Sequence, residues 1–217
     1  MAHGRDDTER SVYLGRLGGV TIDSGREQDT KAGVRERLLH SAIVLLRSRG
    51  ADGFGMTELL DSSAVARRSM YQHFPRGKAQ LLEAAAAEAG ARIGAELDAV
   101  LAAHPPVEAL ALWVEQWKHA LTASDYRFGC PLAAATQAAQ EYPAAAAAAA
   151  RAFAGFTDRI AAAFVRSGFG DDAARSAARV MVSGVEGAII TAQSLRTVAP
   201  LDDLVAHARR HLTSPLA

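Results

Sequence analysis

MTELLDSSAVARRSMYQHFPRGK, residues 56–78, has the layout of two short helices joined by a tight break. Met56, Leu59 and Leu60 give the first helix an apolar face, and Ser62, Ser63 and Ala64 form the break. The second helix is predicted from Ala66 to Phe74, with one apolar stripe of Met70 and Phe74 and with Arg67, Arg68, Ser69, Tyr71, Gln72 and His73 around the rest. A helix this short, with so little apolar area, cannot stand alone; neighbours must hold the stripe while the polar side faces outward. Arginine and lysine neutralise phosphates, and arginine, glutamine and histidine side chains also reach base edges in the major groove. Arg67, Arg68, Ser69, Gln72 and His73 are therefore candidate DNA contacts, with Tyr71 packing or reaching a phosphate. Lys78, opening the next helix, is a candidate phosphate clamp.

Upstream, Val34, Leu38, Leu39, Ala42, Ile43, Leu45 and Leu46 fall close to helical spacing, which predicts a support helix over 32–49. Gly50 suits its C-terminus, and Phe54 is expected to plug a small core. Gly55 stands at the N-cap of the next helix, with Thr57 inside it. Residues 1–30 mix polar letters and glycine with scattered apolar ones and read as a flexible arm. A sharper alternative has Arg5, Arg10, Arg16 or Arg26 reaching DNA.

Val34 to Leu82 resembles the DNA-binding domain of the TetR family of bacterial repressors, above all in Tyr71 and Phe74 at the end of the second helix. Phe74-Pro75-Arg76-Gly77-Lys78 followed by Leu81-Leu82, and Gly129-Cys130-Pro131-Leu132-Ala133-Ala134, resemble the narrower LmrA/YxaF-like group. The resemblance implies an all-α protein: a three-helix, helix-turn-helix head (31–80) followed by a helical ligand-binding and dimerisation bundle (81–217). The chain departs from the family pattern in the turn and cap. Ala64 and Ala66 replace the usual glycine and serine, so a positive φ would cost more and no side-chain oxygen meets the free N–H groups. Arg67 and Arg68 place two cations in the first turn, against the helix dipole by some tenths of a kcal/mol each, a penalty that nearby phosphate reverses.

Further along, a long helix is predicted from about Gly77 to Ala103, the mechanical link between the two parts. Gly90 and Gly94 within it mark close helix packing or a bend used in switching. His104-Pro105-Pro106 breaks the chain, and Val107 to Leu121 is helical. Trp113 and Trp117, one turn apart, belong to the core or line a ligand cavity. Together with Phe128, Gln137, Phe153 and Phe156 they are the candidate ligand-binding residues. Asp125 to Pro131 reads as a loop and Leu132 to Gln140 as a short helix. Cys130 reads as a small buried group, with redox sensing as the alternative. Pro143 and the alanine run 144–150 begin another helix, not a disordered tract.

Ala173 to Arg196 and Leu201 to Leu212 are the last two helices. Ala177, Gly184, Gly187, Ala188 and Thr191 are expected to keep a flat surface on the first of them. By resemblance, these two helices pair with their twins in a homodimer; internal packing in a monomer is the alternative.

Charge is balanced over the 217 residues but uneven along them. Residues 31–80 hold nine basic against four acidic residues, and 81–217 eleven against fourteen, a basic head on a mildly acidic body. One cysteine excludes an intrachain disulfide, and no leader or run of about twenty apolar residues is seen, which predicts a cytoplasmic protein. The expectation is a homodimeric repressor on a palindromic operator, released by a small apolar or aromatic inducer, with no cofactor and no metal. The alternative is a helical small-molecule-binding protein or enzyme without DNA binding. The Glu-x-x-His pairs that a carboxylate-bridged metal site requires are absent, and no HExxH, GxSxG or Gly-rich phosphate loop is present.

Overall fold

The computed structural model describes residues 31–212; the arm expected over 1–30 lies outside the described residues. Among them are nine α-helices and no strand. The head holds α1 (Lys31–Arg49), α2 (Met56–Ser63) and α3 (Arg67–His73). The body holds α5 (Pro106–Ala123), α6 (Pro131–Gln137), α7 (Pro143–Arg166), α8 (Asp171–Leu195) and α9 (Ala199–His211), and α4 (Lys78–Ala103) runs through both parts.

Each head helix is set by its apolar face. Val34, Leu38, Leu39, Ala42, Leu45 and Leu46 of α1 are buried against Leu59, Val65, Met70 and Phe74, with Phe54 closing the loop side as expected. Leu81 and Leu82 at the start of α4 join the same cluster, which continues without a gap into the body. At 26 residues, α4 spans about 39 Å at 1.5 Å per residue.

The glycines of α4 sit where another helix approaches closely. A Cβ at Gly90 would fall 2.6 Å from that of Ala152 on α7, and one at Gly94 would lie 3.5 Å from the Phe156 ring. The alanine run of α7 is helical, with Ala145, Ala148 and Ala149 buried at the spacing of one helix face. The helix predicted to Gln140 stops at Gln137. Pro143 disfavours helical backbone at Tyr142, and the chain turns instead, the Glu141 and Tyr142 N–H groups both donating to the Ala138 carbonyl.

The flat surface of α8 divides in two. Ala177 and Ala188 are buried within the chain, and a Cβ at Gly184 would meet Leu204 of α9 at 2.7 Å. These three residues are thus used in the chain's own packing, because α9 folds back onto α8. The outward stripe consists instead of Val180, Ser183, Gly187, Ile190, Thr191 and Leu195. No helix among the described residues is long and apolar enough to cross a membrane.

Candidate nucleic-acid interface and the head–body seam

On α3, Met70 and Phe74 are buried, Arg67, Arg68, Tyr71 and Gln72 are exposed, and Ser69 and His73 are half-buried. None of the six polar residues named on this helix is buried, and they surround the apolar stripe. Neither Arg67 nor Arg68 forms an ion pair among the described residues. The Arg35 guanidinium lies 5.8 Å from the Phe74 ring centroid and extends the cationic surface onto α1. Gly77, at φ 70° and ψ −146°, turns the chain into α4 through a conformation open to glycine, and a Cβ there would lie 3.6 Å from the Tyr71 ring.

The two alanines of the turn do what their positions imply. Ala64 ends α2 at φ 50°, and Ala66 begins α3 without a side-chain cap. Ala64→Gly should relieve the left-handed strain at an exposed site and stabilise the protein by about 1 kcal/mol, a rise in Tm of roughly 2–4 °C. Thermal unfolding of the two proteins side by side checks this, and an unchanged or lower midpoint would contradict it.

The basic count of the head overstates what faces outward. Arg49 pairs with Glu58 at 3.1 Å and Arg76 with Glu83 at 3.3 Å. Lys78, expected as a phosphate clamp, is engaged within the protein. Its Nζ donates to the carbonyls of Ala51 and Phe54, both at 2.6 Å, and lies 4.3 Å from the Phe54 ring centroid and 5.3 Å from that of Tyr142. Burial lowers its pKa. Two carbonyls that would otherwise lack a donor hold this ammonium, so it ties the head loop to α4 and to the body.

Arg47 is the residue whose role the sequence concealed. Its carbonyl accepts from the Gly129 N–H at 2.9 Å, and its Nε donates to the Gly129 carbonyl at 3.2 Å. Its guanidinium stacks over Phe128 at 5.3 Å and Trp117 at 5.9 Å. The loop it grips is also held from α8. Gln193 donates to the Tyr126 carbonyl at 3.2 Å, and Arg196 pairs with Asp125. These contacts sustain positive φ at Asp125 (53°) and Tyr126 (59°), which a free loop would not favour. The Gly129-Cys130-Pro131 segment is therefore a coupling between the head and the end of α8.

Cavities flank Arg47 on two sides. The smaller, about 80 Å³, lies between α1, α4 and α5, where His40, Arg47, Arg92, Glu96, Gln116 and Trp117 meet apolar Ile43 and Ile93. Burial, then the Arg92 charge, lowers the pKa of His40; burial raises that of Glu96 against the pull of Arg47 and Arg92. The larger cavity, about 260 Å³, includes Arg47, Arg127, Cys130, Gln137, Glu186 and Gln193 in its wall.

The candidate ligand-binding residues separate accordingly. Trp117 lines the smaller cavity and Gln137 the larger. Phe128 stacks under Arg47. Trp113, Phe153 and Phe156 form an edge-to-face cluster with centroids 6.2 and 6.1 Å apart, in which Trp113 and Phe156 are buried and Phe153 is half-buried, and they line neither of these two cavities.

Cys130 is buried, and burial followed by the Glu186 charge pushes its thiol well up, against the backbone N–H groups of Ala133 and Leu132. A thiol held protonated is a poor nucleophile, which favours the small buried group over the redox sensor. Burial pushes the Glu186 carboxyl from its ordinary 4.5 to about 7, with a Cys130 hydrogen bond pulling the other way. The folded chain keeps a proton that the unfolded chain loses near 4.5. Stability from this group is thus present at low pH and lost as pH climbs through about 7. Glu186→Gln is expected to exceed the parent by about 2–3 kcal/mol near pH 8, with the gap closing toward pH 4.5. Urea unfolding at both pH values reads it; a gap independent of pH would contradict the assignment.

A three-helix head with an exposed cationic helix, set on an all-helical body, defines a DNA-binding transcriptional regulator. Residues 38–85 match the family described as bacterial regulatory proteins, tetR family, and residues 106–207 match the C-terminal domain of the LmrA/YxaF-like transcriptional regulators. An HTH-type transcriptional regulator of Mycobacterium tuberculosis, found in two strains, is 34% identical over 176 residues, covering 78% of this chain and 89% of the relative. The chain belongs to the TetR family, in its LmrA/YxaF-like branch, and is a regulator, not an enzyme. The fold agrees with that of the regulatory protein TetR from Rhodobacter sphaeroides, with a TM-score of 0.75 at 22% identity over 82% of this chain and 98% of that one. It also agrees with E. coli NemR in its reduced form, with a TM-score of 0.70 at 21% identity over 82% and 95% of the two chains.

Proposed function

We propose that the chain is a homodimeric, cytoplasmic repressor that leaves a palindromic operator when a small apolar or aromatic molecule binds. The observation that carries this reading is the surface of α3. Arg67, Arg68 and Gln72 are exposed there on a helix anchored only by Met70 and Phe74, with Ser69, Tyr71 and His73 beside them as further DNA contacts. Lys78 is assigned to holding the head, not to a phosphate.

Dimerisation is supported by the outward stripe of α8, where Val180, Ile190 and Leu195 are 56%, 49% and 64% exposed. Burying that stripe against its twin sets two copies of α3 at a fixed separation, which a duplex accepts at one helical turn or a multiple of it. The inducer is placed at the smaller cavity beside Trp117. A volume of about 80 Å³ is below the few hundred Å³ of ordinary ligand pockets. A full ligand would therefore favour a state in which α1 stands further from α4 and α5, and it acts only through its higher affinity for that state.

The test pairs a gel shift on the DNA upstream of the protein's own gene, at two salt concentrations, with sedimentation of the free protein. A dimer and sequence-specific retention with a steep salt dependence are expected. A stable single copy, or no retention of duplex, would overturn the reading in favour of a helical ligand-binding protein.

A further inference from the structure

The larger cavity, about 260 Å³, is walled by the last turn of α1, the loop before α6, and α8. It holds an unsatisfied group: Oε2 of Glu186 is buried and has no hydrogen-bond partner. No cation pairs with Glu186 among the described residues, although Arg47 and Arg127 share its cavity. Each of these arginines donates its Nε to a carbonyl, Arg47 to Gly129 at 3.2 Å and Arg127 to Ser124 at 3.0 Å. Neither forms an ion pair among the described residues, so their terminal nitrogens keep donors for an anion. One cavity thus has an orphan acceptor and two arginines in its wall, a residue type whose guanidinium suits a carboxylate fork.

We propose that this cavity binds a small carboxylic acid that also carries a hydrogen-bond donor, an amino acid or a hydroxy acid. Its carboxylate lies against Arg47 and Arg127, and its ammonium or hydroxyl against Glu186. Above about pH 7, where Glu186 is ionised, a plain carboxylate would leave its oxygen without a donor, and a plain amine would leave the arginines without an anion; a molecule with both groups satisfies both ends. Water's share of liquid volume is about 30 Å³, so the space suits a metabolite of amino-acid size. Arg47 also holds Gly129, so an occupant that engages its guanidinium bears on the seam between head and body.

The site is tested on the full-length protein without DNA, so its outcome is separate from that of operator binding. Calorimetry and thermal melts are run with the proteinogenic L-amino acids, lactate, malate and tartrate one at a time, and with propionate and ethylamine as controls. At least one acid is expected to bind with one site per chain and to raise Tm, while both controls fail. Affinity should fall at least tenfold in Arg127→Ala, a change on an exposed loop. It should fall likewise in Glu186→Met, which fills the same volume without an acceptor, and circular dichroism checks that both variants keep their helices. Three results would overturn the proposal: no acid in the series binds, binding survives unchanged in both variants, or propionate binds as tightly as the best acid.

Discussion

Replacing Arg67 and Arg68 together with alanine is expected to weaken operator retention about a hundredfold or more while leaving thermal stability unchanged or slightly raised. Both side chains are exposed and without ion pairs among the described residues, so they contribute little to the fold. They sit in the first turn of α3, where cations oppose the helix dipole, and their removal relieves some tenths of a kcal/mol in the free protein. On DNA each contact is worth roughly 1–3 kcal/mol and each lost phosphate contact reduces the salt dependence by about one unit of slope. Fluorescence anisotropy on labelled operator across salt, alongside a thermal melt, separates the two effects. Binding lost together with stability would mean that these arginines hold the head. Binding retained at full strength would remove α3 from the interface.

Phe156→Ala is expected to cost about 3–5 kcal/mol, a drop of roughly 6–20 °C in Tm. Phe156 is 2% exposed, meets Trp113 and Phe153 edge to face, and lies against the glycine face of α4 at Gly94. Because α4 and α7 approach closely along Gly90 and Gly94, their backbones have little room to close over the space left by the ring. An aromatic residue lining an open pocket would leave no such void, and its truncation would alter ligand selectivity more than stability. A loss under about 1 kcal/mol by urea unfolding would therefore return Phe156 to the ligand site.

Periodicity in the sequence was sufficient for the helices and their order, because an apolar residue at every third or fourth position has one solution when strands are scarce. It also identified the stripe of α3, whose Met70 and Phe74 are buried, and the strained turn at Ala64, since both depend on neighbours along the chain. The departures at Ala64 and Ala66 were legible for the same reason: a left-handed residue and a missing cap are local facts.

What only the tertiary structure decided is where each polar group ends up. Lys78 and Arg47 look like any other cation of a basic head, yet one is bound by carbonyls 24 and 27 residues away and the other by a glycine 82 residues away. Trp113 and Trp117 share a helix and a spacing, yet one packs on Phe156 and the other opens on a cavity. Glu186 reads as one more charge on an amphipathic helix until α8 turns it against Cys130. Local sequence determined the helices, their faces and their ends, because those obey interactions within a turn or two. The partners of a charge and the existence of a cavity depend on which helices cross, which the chain specifies only once it is folded.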